Sequence, residues 1–224
     1  MTLFPPQMTP LEAAVGSVPS SAYAIVANAP MRASWAGMCE RQISYMLSAE
    51  PASDAGPDPA REIAFAVGHA IGDLIARALR DLYPEGAPEA EGVIGQAGDG
   101  RPLIGCHADY ATATDLWEIK TMKSYAFGLA LQRGVQDHHL TQAALGAKAL
   151  GATQVHLVYV DKDQGRLAEW AYGPDVWQPM AEREVARFAA IWSALPKLGA
   201  PIDEARKHWR CRFCAWATTC REDV

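Results

Sequence analysis

Residues 103–121 read LIGCHADYATATDLWEIKT. Two runs of strand character flank a short polar link at residues 111–114, so the stretch reads as a pair of adjacent strands. Side chains alternate along a strand, which puts Glu118 and Lys120 on one face and Ile119 on the other. Asp109 stands near the end of the first strand. An acid on one strand beside an acid and a lysine on the next is the layout of a small metal site. The rest of the chain reads as helices that support this pair and a set of cysteines that ties the ends together.

Composition limits the alternatives. The 224 residues suffice for one compact domain, or one domain with a small appendage, and 50% are hydrophobic, enough for a true core. The net charge of -6 argues against a coat of positive charge for non-specific nucleic-acid binding. It leaves room for a local basic groove, and for a carboxylate site that becomes competent only with metal. No apolar run reaches membrane-spanning length and no stretch has signal-peptide anatomy, so the expectation is a soluble cytoplasmic protein without a membrane partner. Five cysteines, an odd number, argue against a disulfide framework.

In chain order, residues 1–30 are rich in Pro, Ala and Ser and read as a loose start with one short helix near residues 11–15. Residues 32–47 read as a helix in which Trp35, Cys39, Ile43 and Met46 recur at helical spacing, placing Cys39 on the packed face. After a Pro/Asp/Gly/Ala linker, residues 61–82 read as a long helix with Ile63, Val67, Ile71, Ile75 and Leu79 as its apolar stripe. His69 lies between Gly68 and Gly72 in position to approach another backbone, or to be an ordinary interior histidine. A strand at residues 92–96 and an AGDG turn lead into the central pair. Residues 123–133 are short and ambiguous, with Tyr125, Phe127 and Leu131 consistent with a helical turn. Then come a helix at residues 135–150 bearing His138, His139 and Gln142, strands at 153–160 and 166–172, and a helix at 175–195 opened by Pro174. This order is an α/β core with a mixed sheet. The expected organisation is a loose segment at 1–30, a core at 31–199 and a cysteine-rich tail at 200–224.

Two constellations carry chemistry. Asp109 and Glu118 supply oxygen ligands suited to magnesium or manganese, with the Ile119 carbonyl and His69 as further donors. Lys120 would orient an attacking water, and Gln142 would position a water or a phosphate oxygen. Taken alone, E-x-K reads equally as an ion pair on a solvated sheet. In the tail, Cys211, Cys214 and Cys220 supply three sulfurs spaced C-x2-C-x5-C, one short of the four that a structural zinc or an iron–sulfur cluster takes. Cys39 is the expected fourth, and Cys106 is set aside because it lies in a strand. Ligand counting does not separate zinc from iron–sulfur, and a redox-active C-x2-C or plain core cysteines are the other readings.

With these residues in order, the chain resembles the PD-(D/E)xK nuclease superfamily, and within it the RecB-like, Cas4-type branch. The resemblance spans nearly all of residues 31–221. Asp109 matches the metal-binding Asp, Glu118 and Lys120 the E-x-K pair followed by Thr121, and Gln142 the helical Gln. Cys39, Cys211, Cys214 and Cys220 match the four cysteines. The chain departs from the family at two positions: Gly72 stands where a Gly-x3-His histidine is expected, and Gly146 where a tyrosine often follows the Gln. The resemblance implies a restriction-endonuclease-like core whose ends are tied by a four-cysteine [4Fe-4S] cluster. It implies hydrolysis of DNA phosphodiesters with Mg2+ or Mn2+, exonucleolytic and on single-stranded ends. The implied partners are DNA and proteins of recombination, repair or CRISPR adaptation. The alternative is a catalytically impaired nucleic-acid-binding or structural subunit. Nothing in the sequence specifies an oligomeric interface.

Overall fold

The computed structural model describes residues 30–54, 58–96, 100–194 and 209–222. The strands are β1 (Met31–Arg32), β2 (Ala87–Gln96), β3 (Pro102–Ala111), β4 (Asp115–Met122), β5 (Gln154–Asp161) and β6 (Arg166–Tyr172). The helices are α1 (Glu40–Leu47), α2 (Pro59–Leu82), α3 (Ser124–Arg133), α4 (Asp137–Leu150), α5 (Pro174–Ala194) and α6 (Ala217–Glu222). Short 3-10 turns at Ala33–Trp35 and Trp209–Phe213 complete the described chain.

The six strands form one mixed sheet in which β2–β3, β3–β4 and β5–β6 are antiparallel and β4–β5 and β1–β3 parallel. β3 pairs with β2 from Pro102 to Ala111, which occupies one of its two edges. On the other edge it pairs with β4 at only two positions, Tyr110 with Trp117 and Ala111 with Leu116. Met31 and Arg32 of β1 pair with Ile104 and Gly105, which already face β2, so β1 must share the β4 edge. β3 and β4 therefore diverge as a fork, with β1 set between them further down. Asp109 sits where the two strands part.

Helices cover both faces, unequally. Alternation along β4 and β5 sends Leu116, Met122, Val155, Leu157 and Tyr159 to a large core shared with α1, α3, α4, α5 and the tail. Trp117, Ile119, Val158 and Val160 face a smaller core with Ala76 and Leu79 of α2. Strands buried on both faces read as apolar runs, as β5 does. Glu118 and Lys120 share the parity of Leu116 and Met122, so they belong to the α4 side. β3 breaks its alternation: Cys106 and Ala108 lie in the large core and Tyr110 in the small one. The break falls at Asp109.

The helix boundaries follow local chemistry. Asp58 caps α2 by accepting the Arg61 N–H at 3.0 Å, with Pro59 leading the helix. α3 and α4 stop at Gly134 and Gly151, whose φ of 84° and 77° suits glycine. Several sequence expectations need correction. The helix expected at 32–47 is a strand, a 3-10 turn and then α1 from Glu40 only. Of the expected apolar stripe of α2, Ile71, Ile75 and Leu79 pack on the small core, while Ile63 and Val67 are exposed. Residues 124–133 form a ten-residue helix rather than a turn. The expected helix near residues 11–15 and most of the AGDG turn lie outside the described residues.

The tail docks through its own contacts. Trp216 is fully buried, stacks on Tyr45 at 6.3 Å and donates its indole N–H to the Glu50 carbonyl at 2.9 Å. Asp54 accepts from the Thr218 N–H and hydroxyl, both at 2.7 Å, at the start of α6. Replacing Asp54 with Ala removes this cap, at a cost of about 1 kcal/mol. The expected outcome is faster proteolytic nicking of the tail with an unchanged cleavage pattern in the sheet.

Candidate active site

The fork fixes the chemistry. Where β3 and β4 part, Ile119 loses a backbone partner on β3, and the Asp109 carboxylate replaces it, accepting the Ile119 N–H at 2.5 Å. In an extended strand the N–H and C=O of a residue address the same edge, so the Ile119 carbonyl also faces the fork. On the α4 side, Glu118 is buried, and its Oε1 accepts from Lys120 Nζ and from Gln142 Nε2, each at 2.6 Å. Asp109, Glu118, Ile119, Lys120 and Gln142 are thus brought together at the fork.

The electrostatics follow from burial. Burial pushes Glu118 up to about 7 against the pull of Lys120, with Asp109 and then Glu89 adding to the rise. Asp109 is also raised by burial, an effect opposed by the Ile119 N–H and by the charges of Lys120 and His69. Burial alone would lower Lys120, but Glu118 and Asp109 outweigh it and hold the ammonium above its ordinary range. Two crowded carboxylates share one ammonium, leaving a surplus of buried negative charge. Hard oxygen donors with surplus charge fit a divalent cation of the Mg2+ or Mn2+ class.

His69 is exposed on α2, yet near enough for its charge to act on Asp109. α2 passes β4 at Gly68, where a Cβ would rest in ordinary contact with Thr121 Oγ1 at 3.4 Å, while one at Gly72 would meet open space. Only the first of the two glycines faces a neighbour. Gly146 has its own reason, since a Cβ there would lie 2.9 Å from Leu116 Cδ1, so α4 packs on β4 at a spacing with no room for tyrosine.

Glu89 was not foreseen as a contributor. It faces Asp109 in the β2–β3 register, between the pairs Pro88–Tyr110 and Ala90–Ala108, and carries a left-handed φ of 49°. The strand expected at residues 92–96 is too short to include it, since β2 begins at Ala87. An alternating acid in the PEAEG run was the signal available.

The cysteines are arranged differently from expectation. Cys39 is exposed and precedes α1 instead of lying on a packed helix face. Its loop is held by the buried Glu184, which accepts the Gly37 N–H at 3.1 Å and pairs with Arg187 at 2.6 Å, while Arg187 also donates to the Met38 carbonyl. Burial raises the Cys214 thiol, and the charges of Cys39, Cys220 and Cys211 raise it further, so these four share one end of the molecule. Among the described residues, however, no group of three or more His, Cys, Asp or Glu side chains is set to hold a metal ion. Cys106 is a core residue; its thiol donates to the Leu145 carbonyl at 3.6 Å and is pushed up to about 12 by burial and by Glu118. Of the tail tryptophans, Trp216 is buried, and the Trp209 side chain lies outside what the structure describes. No helix among the described residues is long and apolar enough to cross a membrane.

The raised Glu118 has a signed consequence for stability. Between its ordinary 4.5 and about 7 the folded chain binds more protons than the unfolded one. Metal-free protein should therefore lose stability as pH rises through that window, by roughly 3 kcal/mol for a shift of this size. Urea unfolding in chelator checks this, and Glu118→Gln should flatten the profile. Added Mg2+ or Mn2+ should reverse the loss at the alkaline end, where the carboxylates are free of protons.

No family model matches the chain and no curated protein matches it. Solved structures do. The protein SSO0001 is 17% identical, with a TM-score of 0.61 over 96% of each chain. The alkaline exonuclease LHK-Exo from Laribacter hongkongensis is 16% identical, with a TM-score of 0.53 over 75% of this chain and 91% of its own, both alone and in complex with dAMP. At such identities the likeness is one of fold, here a mixed sheet flanked by helices.

Proposed function

We propose that the protein is a divalent-metal-dependent deoxyribonuclease, an exonuclease acting on single-stranded DNA ends in recombination, repair or CRISPR-type processing. The observation that carries this reading is the fork, where a buried Glu118 paired with Lys120 stands beside an Asp109 tied to the Ile119 N–H. The fold shared with an alkaline exonuclease supports it.

Asp109, Glu118 and the Ile119 carbonyl would hold the Mg2+ or Mn2+, with His69 as the outer contributor from α2. When bound, such an ion polarises a phosphate oxygen and lowers the pKa of a water. The chain's own groups do the rest. Lys120 holds positive charge at the fork, where a phosphodiester gains negative charge. Gln142 fixes the Glu118 carboxylate through its 2.6 Å hydrogen bond, so the acid keeps one orientation. The buried strands on either side limit access of bulk water.

A [4Fe-4S] cluster on Cys39, Cys211, Cys214 and Cys220 is part of the proposal. Four soft donors share one end of the molecule, and both arms that carry them are anchored by other contacts. Such a cluster would be structural, a brace between the α1 end and the tail. Protein prepared without oxygen should be brown, with absorption near about 400 nm and bound iron. Cys39→Ala should lose iron as completely as Cys214→Ala; colourless protein containing zinc would sink the cluster.

The nuclease assignment rests on one assay. Labelled single-stranded DNA of each polarity, with Mn2+, should be shortened from an end by the wild type. Glu118→Gln and Lys120→Ala should each lower the rate by about 100-fold or more. Gln142→Ala should lower it less, because Lys120 still holds Glu118. A wild type that binds DNA without cutting it would favour the second reading, a catalytically impaired binding subunit, which the exposed His69 and the glycine at position 72 motivate.

A further inference from the structure

Beside the fork lies a second polar rung that the nuclease reading leaves unused. In the parallel β4–β5 register, Glu118 pairs with Leu157 and Lys120 with Tyr159, so Tyr159 is the neighbour of Lys120 on the α4 side. Above them runs α4. Gln142 reaches Glu118, and His139, one turn earlier on the same helix face, reaches Tyr159, with Nδ1 2.8 Å from the hydroxyl oxygen. The helix thus meets the strands twice, at Glu118–Gln142 and at Lys120–Tyr159–His139.

The hydrogen-bond inventory fixes the imidazole. The Tyr159 hydroxyl oxygen accepts the Gln136 backbone N–H at 2.9 Å. Tyr159 is fully buried, and the His139 ring is the acceptor within reach of its proton. If Nδ1 carried a proton it would donate to the same oxygen and strand the tyrosine O–H without an acceptor, a cost of about 1–3 kcal/mol for a buried donor. The satisfied arrangement has Tyr159 donating to Nδ1, which leaves Nε2–H as the free donor of His139. The ionisable groups acting on the ring are Lys120 from β4, Tyr159 from β5 and His138 from α4 itself. Burial first, and then the charges of His138 and Lys120, push His139 down to about 3, so the ring is neutral at ordinary pH.

We propose that His139 is a tautomer-locked hydrogen-bond donor of the candidate active site, held by Tyr159 so that Nε2–H meets a non-bridging oxygen of a nucleic-acid phosphodiester beside Lys120. This rests on the nuclease reading above. A neutral donor suits the position: next to Lys120 a second cation would be repelled, whereas an N–H dipole adds a directed bond without charge. Lys120 then supplies field and His139 supplies direction.

Two measurements test it. Nitrogen-15 histidine spectra of the metal-free full chain should show His139 neutral and protonated at Nε2 down to about pH 5, and Tyr159→Phe should mix the tautomers. A ring protonated at Nδ1, or charged at pH 6, overturns the proposal whether or not the protein cleaves DNA. In steady-state cleavage of single-stranded DNA with Mn2+, His139→Ala should lower kcat by about tenfold to a hundredfold with little change in KM. His139→Gln, which places an amide N–H near the Nε2 position, should recover much of that loss; a packing role would give no such rescue. His139→Ala within twofold of wild type, under conditions where Glu118→Gln is inactive, overturns the role of His139 and leaves the nuclease reading standing. A wild type that cuts neither DNA nor RNA with either metal overturns both. Thermal unfolding of each variant identifies any that fail to fold, and His139→Gln then carries the kinetic comparison.

Discussion

The candidate site depends on one substitution of a side chain for a backbone. β3 and β4 pair at two positions and then separate, and the Asp109 carboxylate takes the Ile119 N–H that a ladder carbonyl would otherwise take. An unpaired N–H in a buried strand is costly, so the carboxylate serves stability while being held at the mouth of the fork. Had the ladder continued, Asp109 would project from an ordinary sheet, and the Ile119 carbonyl would be consumed by a neighbour. Glu89 opposite, with its left-handed backbone, marks the same disturbance from the β2 side.

Burial then turns geometry into reactivity. Glu118 lies beneath α4 because alternation puts it with Leu116 and Met122, and α4 comes close because position 146 is glycine. Close cover strips water from the carboxylates and raises both. Lys120 offsets part of that charge, and Gln142 orients the acid without altering it. The same helix, one turn earlier, orders His139 through Tyr159. One helix therefore sets the rotamer of an acid and the tautomer of a base.

How much of this the sequence disclosed follows from the range of each interaction. The shared face of Glu118 and Lys120 was legible because period-two alternation is a local property, and β4 and β6 have the expected bounds. Asp109 was legible as a residue type at a spacing, but the fork that gives it a role was not, since it depends on β1 entering from far upstream. The start of α1 was misplaced because Trp35 and Cys39 fit a helical period by coincidence. The loop there is instead set by Glu184 and Arg187, 147 and 149 residues from the groups they hold. Ile63 and Val67 satisfied the pattern of a buried stripe, yet they are exposed, and the stripe packs from Ile71 onward. His139 stood in view as a polar group on a helix; its partner, Tyr159, sat in a strand that looked purely apolar.

The position of β1 bears on how the molecule is made. Its two residues lie parallel to Ile104 and Gly105, so the pairing closes a long loop for very few contacts, and loop closure carries an entropic cost that short pairing repays poorly. The pairing of β2 with β3 is local by comparison, from Ala87–Ala111 to Gln96–Pro102. A chain leaving the ribosome therefore emits residues 31 and 32 well before the strand they need exists, and the wedge is set only after the later hairpin has formed. The earliest described stretch of the chain thus takes its place beside β3 only after the strand it pairs with has been made.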